Sequence, residues 1–388
     1  MNELEWRPTR SEGVARLTDF APRAGTNYAK GRNTNTGPGV REHVSALSPW
    51  ISHRLVLEEE VISVALDHHR FEDAQPFLQE VCWRAYFKGW LERRPSIWAR
   101  HQQRLQTDID RLDRDAALRS RYEAAIAGAT GIDGFDHWAR ELAETGWLHN
   151  HARMWFASIW IFTLRLPWSL GADFFYRTLI DGDPASNTLS WRWVAGLHTK
   201  GKTYLARPDN IETFSNGRFR PEGLAEEAPP VLEPPTPAPD PSPVGDRLDP
   251  GLGGLRYGLL LTEHDLHPES LPLAVNPSAI LALSALHNRS PLTVGALAQD
   301  FTAGALDHTC VRIEQIFQMA VDRASNTFWR ASIIDWAKHN DLKLVVVARP
   351  PVGPAADLLS AAEAELTAAG IRIIRFMRRY DEVMWRHA

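Results

Sequence analysis

The chain reads as a multidomain α and α/β protein: an all-helical part followed by a small α/β part built on a parallel sheet. Three observations carry this. In the first 225 residues, segments 57–67, 75–93, 136–144 and 148–165 place apolar residues at three- and four-residue intervals, with almost no alternating strand pattern. Between Pro229 and Pro243, eight of fifteen residues are proline, which predicts a semi-rigid extended tether rather than part of a packed core. Beyond it, "LRYGLLL" (255–261) and "LKLVVVA" (342–348) are short apolar runs suited to buried strands. The second run leads into an alanine-rich helix and then "IRIIRF", a βαβ unit that implies parallel strands. The expected division is a helical domain over 1–225, a linker over 226–247 and an α/β domain over 248–388.

Composition narrows the classes of function. The 388 residues suffice for two or three domains, and 44% hydrophobic with 23% charged content is that of a soluble globular protein. A net charge of −5 gives no global reason to expect nucleic acid or an anionic membrane, so any basic surface must be local. Cys82 and Cys310 are the only cysteines, which argues against a disulfide framework and fits a reducing cytoplasm. The opening "MNELEWRPTRSEG" lacks the apolar core of a secretory signal. The most apolar run, "MWFASIWIFTL", is eleven residues long and ends at Arg165, well short of the roughly 20 needed to cross a bilayer, so a buried helix is expected. The expected location is cytoplasmic. Histidines cluster in "DHHRF" and "WLHNH", yet no acid or cysteine spacing completes a metal site and none is expected. No glycine-rich phosphate loop follows either strand of the α/β part. Fifteen tryptophans, most of them before residue 200, call for a large aromatic core or a stacking site.

Three helical faces carry candidate chemistry. In "DGDPASNTLSWRW", Asp183 before Pro184 reads as a helix cap, and Asp183, Asn187 and Trp191 recur every four residues on one face. In "QEVCWRAYFKGW", Glu80, Trp83 and Arg84 set an acid, a large π surface and a guanidinium together. In "GWLHNHARMW", Asn150, Arg153 and Met154 repeat that spacing. Each alone can be a surface ion pair or plain core. Together they read as the lining of a pocket for a flat, polar, partly anionic ligand. From Arg84 to Arg104, six Lys or Arg residues stand against the single acid Glu92, a local basic stretch that could track phosphates or serve as a solvated helix face.

The ordered series "YAKGRN", "VSALSPWIS", "QEVCWRAYF", "TGWLHNHARMW" and "DGDPASNTLSWRW" resembles the flavin-binding domain of the photolyase and cryptochrome family, closest to its cyclobutane pyrimidine dimer photolyases, over roughly residues 14 to 220. The resemblance implies bound FAD, in its reduced form for repair. It gives "VSALSP" the diphosphate, with Ser45 and Ser48 as donors, the Ala46 and Leu47 N–H groups between them, and Tyr28 and Phe77 alongside. It places Asp181 and Asp183 at the flavin and ribose edge, Arg153 opposite Asp181, Asn150 on the cofactor, and Asn187 facing the flavin N5, where an amide tunes redox state. Glu80, Trp83, Arg84, Asn150, Met154 and Trp193 fall on the substrate side, for a dimer flipped out of DNA, since a poorly stacked lesion costs less to extrude.

The pattern also departs from the family. Of its three-tryptophan electron chain, Trp191 and Trp168 match the inner two, but near residue 115 only Tyr122 offers an aromatic ring. The family sets an α/β antenna domain first, whereas here the α/β part comes second; "YGLLLTEHDLHPESLPLA" resembles the opening of that antenna domain, which would make the arrangement permuted. A second antenna chromophore is left unidentified, as are protein partners. The reading is therefore light-driven repair of pyrimidine dimers in DNA. The alternatives are a cryptochrome-like photoreceptor signalling through the tethered domain, and a degenerate member that uses the fold structurally.

Overall fold

The computed structural model describes residues 6–39, 41–199, 201–241, 246, 256–273, 275–324 and 328–388. The helical part comprises α1 (Arg10–Phe20), α2 (Thr26–Gly31), α3 (Ser48–Ser52), α4 (Glu58–His68), α5 (Phe71–Glu92), α6 (Pro95–Arg114), α7 (Ala116–Ala127), α8 (Phe135–Thr145), α9 (Asn150–Ser158), α10 (Trp168–Thr178), α11 (Pro184–Val194) and α12 (Pro208–Phe214). The apolar run after residue 153 is a buried helix, as expected, but its second half, Ile159–Thr163, widens into a π turn. Such turns rotate the side chains beyond them and are frequent at functional sites. No helix among the described residues is long and apolar enough to cross a membrane.

The α/β part holds β1 (Tyr257–Leu261), β2 (Ala279–Ala282), α13 (Ala296–Phe317), β3 (Val321–Arg323), α14 (Trp329–His339), β4 (Leu344–Ala348), α15 (Pro354–Ala368), β5 (Arg372–Phe376) and α16 (Arg379–Trp385). All pairings are parallel, in the order β3-β2-β1-β4-β5. The doubly buried strands explain why their sequences read as unbroken apolar runs. The chain reverses its winding between β1 and β4, the switch point at which open α/β sheets present a crevice.

The core of the helical part is largely aromatic. Phe135 stacks on Phe156 at 4.3 Å and Trp138 on Trp155 at 5.3 Å, while Trp50, Trp138, Trp155 and Trp160 are fully buried. A second cluster joins Trp6, Tyr28, Trp50, Phe77 and Trp147 to Leu266, Phe301 and Ala305, so one apolar core spans both parts of the chain.

The proline segment is extended, without helix or strand from 221 to 241, but it is no free tether. Val231 N–H donates to Ala195 O, Arg100 to Pro235 O, and Asp240 N–H to Arg93 O. Glu233 accepts from the Trp168 indole at 3.0 Å and pairs with buried Arg192 at 2.6 Å. Buried cations need carboxylates, and the linker supplies one that composition could not reveal. Most of the expected linker end and the start of the α/β domain, 242–245 and 247–255, lie outside the described residues.

Candidate cofactor and substrate site

The Asp183 cap is built as its sequence predicts. Its Oδ1 accepts from Ser186 N–H at 2.7 Å, Pro184 takes the first helical position, and Asn187 follows one turn on. Both aspartates are buried and ionised. Burial alone would raise Asp181, but Arg153, at 2.9 and 3.2 Å, with a bond from Ser48, holds it below the usual carboxylate range. Burial likewise works against Asp183, and Lys88 at 3.7 Å, Arg84 and the Ser186 N–H outweigh it. The Asn187 amide donates Nδ2 to Ala172 O at 2.7 Å, which orients its Oδ1 as an acceptor.

The loop 44–49 turns sharply at Ala46, whose φ of +48° lies in the left-handed region that non-glycine residues seldom adopt. Ser45 Oγ accepts from Leu47 N–H at 3.4 Å, and Ser48 Oγ accepts from the Trp147 indole at 3.2 Å while donating to Asp181. Ser48 is therefore committed within the protein, leaving Ser45 as the loop hydroxyl available to a ligand. A small cavity with room for about one water adjoins this loop, lined among others by Asn35, Arg41, Val44, Trp147 and His149.

The residues expected on the substrate side are, in part, at the surface. Trp83 and Trp193 are 46% and 39% exposed, unusual for indoles in a core-rich chain. Trp193 stacks on Tyr204 at 5.6 Å, the Tyr204 hydroxyl is 3.5 Å from His151 Nε2, and His151 Nδ1 lies 2.9 Å from Asn33 O. Arg32, next to Asn33, pairs with Glu80 at 2.7 Å. Trp83 meets Phe87, and Phe87 meets His198, five residues beyond Trp193. Asn150 is exposed and Met154 half-buried on α9, beside His151.

Three expectations need correction. Glu80 pairs with Arg32 of α2, not with Arg84. Arg84 turns inward: its Nε and Nη2 are buried without a hydrogen-bond partner among the described residues, and its charge acts on Asp181, Asp183 and Glu58. Its charge thus falls on buried acids, whereas Trp83, one residue before it, is exposed. Phe77 is 3% exposed and packs edge-on to Tyr28 at 5.1 Å and against Phe20, so it is a wall of aromatic core behind α2. Tyr28 is buried too, and burial drives its phenol well above the usual range.

The basic stretch is not an open track for phosphates. Lys88 is buried, Arg93 and Arg100 bond the linker, Arg94 covers Trp90, and Arg104 holds Asp108. Sequence reading missed Lys88, Arg32, His151 and Tyr204 as site residues. Arg32 stands inside "YAKGRN", but its partner is 48 residues away, and Tyr204 carries no local signal at all.

A dinucleotide with a diphosphate fits this donor set. An orphaned buried guanidinium calls for an anion, and unpartnered His149 Nε2 and Asn35 Nδ2 beside the cavity call for polar ligand atoms. Residues 77–223 match the family described as the FAD binding domain of DNA photolyase. A deoxyribodipyrimidine photo-lyase of Streptomyces griseus is 32% identical over 198 residues, 48% of this chain and 42% of that protein. Cryptochrome-2 of Arabidopsis thaliana is 28% identical over 228 residues, 56% of this chain and 36% of that protein. A bacterial class III photolyase from Agrobacterium tumefaciens superposes with a TM-score of 0.46 at 27% identity, covering 55% of this chain and 44% of that one. The matched region spans less than half the length of these relatives. Fold and site thus define a flavin-dinucleotide-binding domain with an attached α/β domain. Over residues 77–223 the chain is similar to the FAD-binding domain of the photolyase family, which gives FAD as the cofactor of that domain.

Proposed function

We propose that this chain repairs cyclobutane pyrimidine dimers in DNA by light-driven electron transfer. The observation that carries the reading is a helical part that exposes two indoles and an Arg-paired carboxylate while burying charge-compensated acids. Bound reduced FAD supplies the photoexcited electron. Arg84 and Ser45 would hold its diphosphate, Arg153 keeps Asp181 ionised, and Asn187 Oδ1 would accept a hydrogen bond from a ring N–H. Trp83 and Trp193 support the flipped bases by stacking, and Glu80 hydrogen-bonds a base edge, with Arg32 setting the carboxylate's orientation. Electron return after the bond splits leaves no net redox change.

The test is repair of a thymine-dimer oligonucleotide by FAD-loaded, chemically reduced protein in blue light and in darkness. Restoration only in light is expected, with Glu80→Ala reducing it by about tenfold or more, the usual scale for losing one positioned hydrogen-bonding group. Undiminished repair by Glu80→Ala would refute its role. Flavin bound and reduced, with no repair, would favour a second reading, a cryptochrome-like photoreceptor. One observation supports that reading: half-buried His264, from the loop after β1, lies within the field of Lys88 and Asp183, so the α/β domain adjoins these charges. Light-dependent change in proteolysis of the proline segment is its expected mark, and equal cleavage in light and dark would count against it.

A further inference from the structure

Trp191, one turn beyond Asn187 on α11, has two oxidisable directions open to it, and the structure treats them differently. Its ring meets Trp160 at 6.2 Å, edge to face, and Trp160 meets Tyr122 at 6.1 Å in the same manner. The three rings are in unbroken contact, because the π turn Ile159–Thr163 sets Trp160 between α11 and α7. Exposure along the series is 2%, 0% and 6%. Trp168 makes no such ring contact with Trp191. It stacks at 5.2 Å on His101, a ring far harder to oxidise than an indole, and His101 separates it from the next tryptophan, Trp98, at 5.6 Å.

The far end of the first series is equipped for proton loss. Arg177 Nη2 donates to the Tyr122 hydroxyl at 3.2 Å, and Nε of the same guanidinium is 3.2 Å from Asp173 Oδ2. Burial raises Asp173 to about 6, which makes its carboxylate a more willing proton acceptor. A phenol oxidised without losing its proton is a strong acid, so an adjacent acceptor is what lets a tyrosine serve as the last donor.

We propose that Trp191, Trp160 and Tyr122 form the electron-supply route of this chain, with Tyr122 the terminal donor. The inference rests on the flavin reading above. Trp191 gives one electron to photoexcited oxidised flavin, Trp160 refills Trp191, and Tyr122 refills Trp160. On oxidation Tyr122 loses its phenolic proton, for which the Asp173 carboxylate, linked to the phenol through Arg177, is the base. A thiol in solution then returns one electron and one proton to the neutral tyrosyl radical, so that one electron has passed from thiol to flavin. Tyr122 fills the role for which the sequence offers no third tryptophan, but by way of Trp160 rather than Trp168.

The test uses full-length FAD-loaded protein under blue light with dithiothreitol, following loss of oxidised-flavin absorbance and, in frozen illuminated samples, electron paramagnetic resonance. Wild type is expected to give a tyrosyl radical signal. Tyr122→Phe, which keeps the ring and the fold, is expected to abolish that signal and slow photoreduction by about tenfold or more, a barrier change of about 1.4 kcal/mol. Trp160→Phe is expected to slow it similarly, with flavin content confirming that the domain is folded. A tyrosyl signal surviving Tyr122→Phe, or Trp168→Phe abolishing photoreduction while Trp160→Phe and Tyr122→Phe proceed at the wild-type rate, would overturn the route. Protein that binds no flavin would overturn the functional reading itself, and the route with it.

Discussion

Lys88 shows how one side chain can decide a site. Its ammonium and the Asp183 carboxylate are 3.7 Å apart, with 4% and 3% of their side chains exposed. Asp183 in turn caps α11 and so fixes the helix that presents Asn187 and Trp191. Removing one partner of a buried pair strands the other charge, a loss of about 3–5 kcal/mol, whereas removing both is far milder. Lys88→Met is therefore expected to lower stability on that scale and to weaken FAD retention, and adding Asp183→Asn is expected to restore part of the stability. Chemical denaturation of the two single variants and the double variant checks this; additive losses would mean that the two groups do not interact. Asp183 as a cap was legible from its place before a proline. Lys88 was not: it is 95 residues upstream, and a lysine at helical spacing reads as solvated surface unless its surroundings are known.

At the scale of the element, α5 does the most. Glu80, Arg84, Lys88 and Glu92 stand four residues apart on this helix and meet, in turn, Arg32, the buried acids and the α/β domain. The local face was readable by spacing, but its division into exposed and buried thirds depends on what packs above each turn. That packing comes from distant sequence. The C-terminal α16 lies along α5, with Tyr380 near Cys82 and Arg93 bonded to the Ala388 carbonyl. Gly89 allows the approach: a Cβ there would sit 2.7 Å from the Trp385 backbone. Helix propensity favours alanine over glycine by about 1 kcal/mol, yet overpacking against backbone costs about 1–3 kcal/mol. Gly89→Ala is thus expected to lower the melting temperature and expose α16 to proteolysis, while a higher melting temperature would show that α16 yields easily. The π turn after α9 was equally hidden from the sequence, because apolar periodicity does not separate π from α over a single turn.

Across the whole molecule, the α/β domain is bound through its own switch-point crevice. Glu92 enters beside the end of β4, accepting from Val352 N–H at 2.6 Å and Arg349 at 3.0 Å, and Trp98 donates to Asp357 in the first turn of α15. A position where such sheets present a ligand crevice is here filled by the helical domain itself. A second contact is ionic: Arg54 reaches Glu58, Asp265 and Asp381, and Arg378 grips Asp265 through two bonds of 2.6 Å, all of these side chains being buried. Arg54–Asp265 and Arg54–Asp381 cross between the domains, so these two pairs are made only when the domains meet. Burial opposes the charge on Asp265, but the two arginines prevail and hold its carboxyl at about 2. An unfolded aspartate titrates at about 3.9, so this stabilisation is fully present above that value and is lost as pH falls through about 2. Asp265→Asn removes it at every pH and leaves two guanidinium groups short of a carboxylate, a cost of about 3–5 kcal/mol. Calorimetry near neutral pH is expected to give one transition for the wild type and two for Asp265→Asn, with flavin retained by the helical domain after the first. Acidification of the wild type from pH about 4 to about 2 is expected to reproduce the split. A single transition at an unchanged temperature in Asp265→Asn would mean that Asp265 contributes nothing to the union of the domains, which the apolar core around Leu266 and Phe301 and the remaining Arg54 and Glu92 pairs would then hold.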